Sequence, residues 1–148
     1  MERRERISAA LAFDVLVGEN AIRFAPSDQS MGKVCLALAL LWHELITQVV
    51  FECDDRRFLI IDVDSRLTAS DGSIGVWSPP KARLTLSRND LESCVAFALK
   101  YYRDGVGEVD HFDLEVRDAP GGMSVMSVTF VVPGAKPPLS PEEMQRLL

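Results

Sequence analysis

Soft metal ligands are scarce in this chain: it has two histidines and three cysteines among 148 residues. Cys35, Cys53 and Cys94 form no Cys-x-x-Cys pair, which excludes zinc-knuckle and thioredoxin-like motifs. An odd number at irregular spacing reads as small buried hydrophobes in a reducing compartment. His43-Glu44 opens the HExxH pattern, but Thr47 stands where the second histidine belongs. Glycines 18, 32, 72, 75, 105 and 107 never fall into GxxxxGKS/T or GxGxxG, so no phosphate cradle is expected. Asp62-Val63-Asp64 starts like a calcium loop, but Leu67 and Ser73 occupy the positions that need glycine and glutamate.

Positive charge is also sparse. Arg3, Arg4 and Arg6 are interleaved with Glu2 and Glu5, no basic run follows, and the formal net charge is −6. A phosphate backbone repels such a chain, so nucleic acid is not expected as a partner and a basic protein is. The apolar stretch Ile7 to Phe13 is short and Asp14 interrupts it, unlike a secretory leader. Met31 to Phe51 is long enough to cross a bilayer but contains Lys33, His43, Glu44 and Gln48, and a His-Glu pair is costly in hydrocarbon. The expectation is a cytoplasmic protein that neither enters a membrane nor carries a cofactor.

With 47% apolar and 26% charged residues, the chain has the balance of a globular protein, and its length suggests one domain. Residues 1 to 6 read as a flexible start and 133 to 139 as a linker to a terminal helix. Leu11 to Val17 and Ala21 to Ala25 flank Gly18-Glu19-Asn20 as a hairpin. Gln48 to Cys53 and Phe58 to Asp64 flank Asp54 to Arg57 as a second one. Ser73 to Trp77 and Ala82 to Leu86 are short strands separated by Pro79-Pro80. A first helix is predicted over Met31 to Ile46; it is apolar almost all round, which implies cover on more than one side.

The stretch from Ser87 to Val116 says most about architecture. Ser87 with Asp90 three residues later is a capping-box variant. Leu91, Cys94, Val95, Ala98, Leu99 and Tyr102 form the predicted buried stripe, and Gly105 ends the helix. Val109 to Arg117 then alternates. Phe112, Leu114 and Val116 point one way; His111, Asp113, Glu115 and Arg117 point the other, as on a strand with one wet face. Met123 to Val132 is the last strand. Ser140-Pro141-Glu142-Glu143 starts a short C-terminal helix. The whole reads as α+β: a mostly antiparallel sheet, two main helices packed chiefly on one face, and that terminal helix.

Two places invite a functional reading. His111, Asp113 and Glu115 share one strand face, where imidazole and carboxylate suit a metal, acid–base work or the capture of a basic surface. Trp77, beside Ser78-Pro79-Pro80, suits an interface anchor, although covering the sheet edge is its commoner use. Asp62 and Asp64 add carboxylates. The partner-binding candidates are therefore Asp62, Asp64, Trp77, His111, Asp113 and Glu115.

The layout from Leu84 through the capped helix to His111-Phe112-Asp113-Leu114-Glu115-Val116, in a small acidic chain, resembles small immunity proteins of bacterial toxin–immunity systems. That likeness covers about a third of the chain and carries no functional residue across. It implies a non-catalytic protein that neutralises a cognate toxin, often by blocking its active site. Size, acidity and α+β content are also similar to those of the homodimeric chaperones of type III secretion effectors. The early apolar helix departs from their order of elements. A small metal-binding enzyme centred on His111, Asp113 and Glu115 is the third alternative.

Overall fold

The computed structural model describes residues 2–16, 19–105, 110–118, 123–124, 127–134 and 145–146. Their elements run β1 (Glu2–Arg6), β2 (Ala9–Leu16), β3 (Glu19–Pro26), α1 (Met31–Trp42), β4 (Gln48–Glu52) and β5 (Phe58–Val63). Then come β6 (Ser73–Ser78), β7 (Lys81–Leu86), α2 (Arg88–Asp104), β8 (His111–Asp118), β9 (Met123–Ser124) and β10 (Ser127–Val131). Both predicted hairpins form, as β2/β3 and β4/β5; the two short strands flanking Pro79-Pro80 pair antiparallel as β6/β7, and β8 pairs antiparallel with β10.

The protein is α+β, but its sheet is mixed rather than mostly antiparallel. The strand order is β1-β4-β5-β7-β6-β8-β10-β3-β2, with β9 on β6. Four of the contacts are parallel: β1/β4, β10/β3, β5/β7 and β6/β8. The antiparallel expectation followed from the hairpins alone, and the parallel contacts are the non-local joins between them. The chain start differs as well. Residues 2 to 6 are a strand in register with Gln48–Glu52, not a flexible lead, and Arg3 pairs with Glu5 at 2.7 Å.

β1 and β2 lie at opposite ends of the strand order yet only Ile7 and Ser8 separate them in sequence. The sheet must therefore curl until its two ends meet. Ile7 is buried and its N–H donates to Glu52 O at 3.0 Å. The Ser8 N–H donates to Ser30 Oγ and the Ser8 hydroxyl to Asp54, both at 2.8 Å. Arg57 reaches Leu11 O at 2.9 Å. Inside the curl, Phe24 stacks on Phe51 at 5.6 Å and Phe13 on Trp77 at 5.5 Å between ring centroids.

Both helices feed this core: Val34, Ala37, Leu38 and Leu41 from α1, Leu91 and Cys94 from α2. α1 ends at Trp42, four residues before its predicted end. Glu44 takes a left-handed φ of 61°, its N–H donates to Leu41 O and that of Leu45 to Leu40 O. That is a Schellman stop with glutamate in the position glycine usually fills. Within this chain α1 leaves Leu36 50% exposed, so the expected cover by another element does not extend to it. α2 starts and stops where predicted, at Ser87 and Gly105 (φ 70°). Its buried stripe is rotated from the predicted one: Leu91, Cys94 and Ala98 are buried, whereas Leu99 and Tyr102 are each 55% exposed. Phe97 stacking on Phe112, and Tyr101 packing near Met31, Cys35 and Val132, hold the helix in that orientation. Of the expected terminal helix, only Gln145 and Arg146 fall among the described residues, and both are helical. The remainder of it, and most of the expected linker, lie outside them.

Candidate functional site: an acidic cleft at the sheet seam

β8 alternates as its sequence predicts. Leu114 and Val116 are buried and Phe112 half-buried, while His111, Asp113, Glu115 and Arg117 are exposed. One edge of the strand is fully paired with β10, from His111↔Val131 to Glu115↔Ser127. The other edge meets β6 over three residues only, Val116 to Asp118 against Ser73 to Gly75. The Val116 side chain packs directly on Gly75 at this seam: a Cβ on Gly75 would stand 2.8 Å from Val116 Cγ2, so only glycine fits without a shift.

Beyond the seam the two strands separate, and a cleft of about 660 Å³ opens between β8, the loop before β6 and the first turn of α2. Asp71, Asp90, Asp113 and Glu115 bring carboxylates to its lining, with Arg117 the guanidinium among them. Thr68 holds the Asp71 carboxyl below the ordinary carboxylate range, first through its backbone N–H at 2.9 Å and then through its hydroxyl at 2.8 Å. Arg117 adds a smaller pull in the same direction. Asp71 is thus fixed as an anion. Thr129 donates its hydroxyl to Asp113, and His111 Nδ1 lies 3.0 Å from Asp110 Oδ1. His111 Nε2 is 3.6 Å from Asp113 Oδ2, too far for a good hydrogen bond.

Asp90 was expected to close a capping box with Ser87. The Asp90 N–H does donate to Ser87 Oγ at 3.1 Å. The return half runs through a third residue: the Ser87 N–H donates to Ser73 Oγ at 3.0 Å, and the Ser73 hydroxyl donates to Asp90. Buried Ser73 therefore ties the seam to the start of α2.

The six candidate residues do not form one site. His111, Asp113 and Glu115 stand together on β8. Asp62 shares their outer face through the row Asp62↔Thr85↔Ile74↔Arg117. Three strand spacings separate Asp62 from Arg117, roughly 14 Å. One Asp62 oxygen accepts from Arg83 at 2.7 Å, and the other is buried without a partner among the described residues. Asp64 follows β5 and is gripped by Arg66, whose hydrogen bonds lower its pKa. Trp77 is 5% exposed and belongs to the core, so its ring offers no surface to a partner. Asp71, Asp90 and Arg117 were not singled out as site residues. Arg117 was legible from the alternation, whereas Asp71 and Asp90 reach the cleft only through tertiary packing.

Among the described residues no three His, Cys, Asp or Glu side chains converge closely enough to hold a metal ion. The three thiols are free and buried. Burial pushes Cys35 up to about 11 and Cys53 up to about 12, and raises Cys94 further, so none is poised as a thiolate. No described helix is long and apolar enough to cross a membrane. What the cleft can do chemically is attract and hydrogen-bond cationic groups. No protein-family model matches the chain, and no curated protein matches its sequence significantly.

Proposed function

We propose that the protein is a non-catalytic binding module, an immunity protein that neutralises a cognate bacterial toxin by docking its acidic cleft against a basic surface. The observation that carries this reading is the cleft itself, with four carboxylates and one guanidinium in its lining on a chain of net charge −6. Such a field speeds association with a basic partner and disfavours like-charged ones. The carboxylates are spread along a strand, a loop and a helix start, which suits an extended contact better than a reacting centre.

The test is a growth assay with the product of the adjacent reading frame. Its C-terminal domain should arrest growth alone, this protein should restore growth, and the triple variant Asp71→Lys, Asp113→Lys, Glu115→Lys should not. Full rescue by a folded triple variant, or the absence of toxicity, defeats the reading.

A second reading, a homodimeric secretion chaperone, draws on Leu36, Leu99 and Tyr102, which are at least half exposed on the helix pair. Size-exclusion chromatography with light scattering separates the two readings. A monomer that binds a folded domain fits the first; a dimer that holds an extended client fits the second.

A further inference from the structure

The two edges of β8 differ in a way that charge does not describe. Val132 N–H donates to Asp110 O at 3.0 Å, which sets the phase of the antiparallel ladder with β10. In that phase Phe112 and Leu114 exchange backbone hydrogen bonds with Phe130 and Val128. His111, Asp113 and Glu115 then turn their N–H and C=O groups to the opposite edge. The contact with β6 begins only at Val116. Among the described residues no strand pairs with the edge from His111 to Asp113, and the cleft is lined by Phe112 and Asp113 of that stretch. Among the described residues, an interior strand of the sheet thus presents a short stretch of open edge, roughly 7 Å from His111 to Asp113. Exposed edges are templates for another strand, and main-chain pairing at such an edge is a recurring mode of peptide recognition.

We infer that the cleft binds an extended segment of a partner protein by strand addition to β8, and that this segment alternates basic and apolar residues. The inference rests on the docking reading above and names the form its partner takes. A strand laid along β8 would place every second side chain beside the outward row of His111, Asp113 and Glu115, where Lys or Arg is complementary. The side chains between them would lie beside Phe112 and Leu114, on the inward face, where apolar groups fit. Charge complementarity chooses the outward residues, and the pleat chooses the alternation.

The experiment is backbone hydrogen exchange of the full chain, read by NMR, with three probes: an alternating Lys–Val peptide, the same peptide N-methylated at alternate residues, and an alternating Glu–Val peptide. The Lys–Val peptide should slow exchange of the His111 and Asp113 amides by about tenfold or more, as new main-chain hydrogen bonds do. The N-methylated peptide has the same charge but cannot pair, and the Glu–Val peptide is repelled, so neither should protect those amides. Absence of protection by the Lys–Val peptide, or equal protection by the N-methylated one, overturns the inference. If the triple lysine variant abolishes toxin rescue while the His111 and Asp113 amides stay unprotected in the toxin complex, strand addition falls and the docking reading stands. If rescue survives the triple variant, the docking reading falls first.

Discussion

The curled sheet has two joints, and they are built differently. At Ile7-Ser8 the chain passes from one end of the strand order to the other, and the polar groups there are engaged. Ile7 N–H goes to Glu52, Ser8 N–H to Ser30, Ser8 hydroxyl to Asp54, and Ser27 N–H returns to Ser8 O. At the β6/β8 seam three residue pairs meet and the strands then part beside a cleft with four acidic residues in its lining. Both joints hold the same fold together. The first is closed by hydrogen bonds around the buried Ile7; among the described residues the second leaves backbone and carboxylates facing outward. A joint meant only for stability gains from complete pairing, so the incomplete one is where function is expected.

Four substitutions sharpen or break that contrast. Ile7→Ala empties a buried site at the closed joint and should cost about 2–4 kcal/mol in a urea melt. An effect below 1 kcal/mol there would mean that the closed joint is not a stabilising one. Gly75→Val forces a side chain against Val116, and overpacking of this kind costs about 1–3 kcal/mol. Heteronuclear NMR should place its shift changes along β6 and β8 rather than at the Ile7 bend. Ser73→Ala removes the hydroxyl linking Ser87 N–H to Asp90, and a buried donor left without its partner costs about 1–3 kcal/mol. Fraying of the first turn of α2, seen by hydrogen exchange at Leu91, should accompany that loss.

The smallest effect is a pH dependence at Asp71. Its pKa is lowered in the folded state, so its contribution is present above the unfolded value of about 4 and is lost as pH falls through the lower folded value. Asp71→Asn should therefore lower stability at neutral pH and leave it little changed in acid, so that the acid limb of the stability profile flattens. An unaltered acid limb would show that Thr68 and Arg117 do not hold this carboxylate.

Much of this was legible in the sequence where the signal is local. The hairpins announced themselves through β-branched runs and turn residues, α2 through Ser87 and Gly105, and the β8 row through strict alternation. The N-terminal strand was not legible, because Glu2-Arg3-Arg4-Glu5-Arg6 has no apolar residue and pairs only with a segment more than forty residues away. The end of α1 hid because a glutamate, not a glycine, occupies its left-handed position. Trp77 reads from sequence as cover for the sheet edge more readily than as an anchor, and its contact with Phe13 comes from the curl of the sheet. The cleft itself was half legible. Asp113 and Glu115 followed from period-two patterning, while Asp71 and Asp90 arrive from a loop and a helix whose positions only packing sets.

Amide hydrogen exchange along β8 in the free protein tests the central claim most directly. The open edge predicts alternation: Phe112 and Leu114, bonded to β10, protected by about a hundredfold or more, and His111 and Asp113 exchanging near the rate of an unstructured chain. Equal protection of Asp113 and Leu114 would show that the edge is already paired, and both the strand-addition site and the contrast between the two joints would be lost.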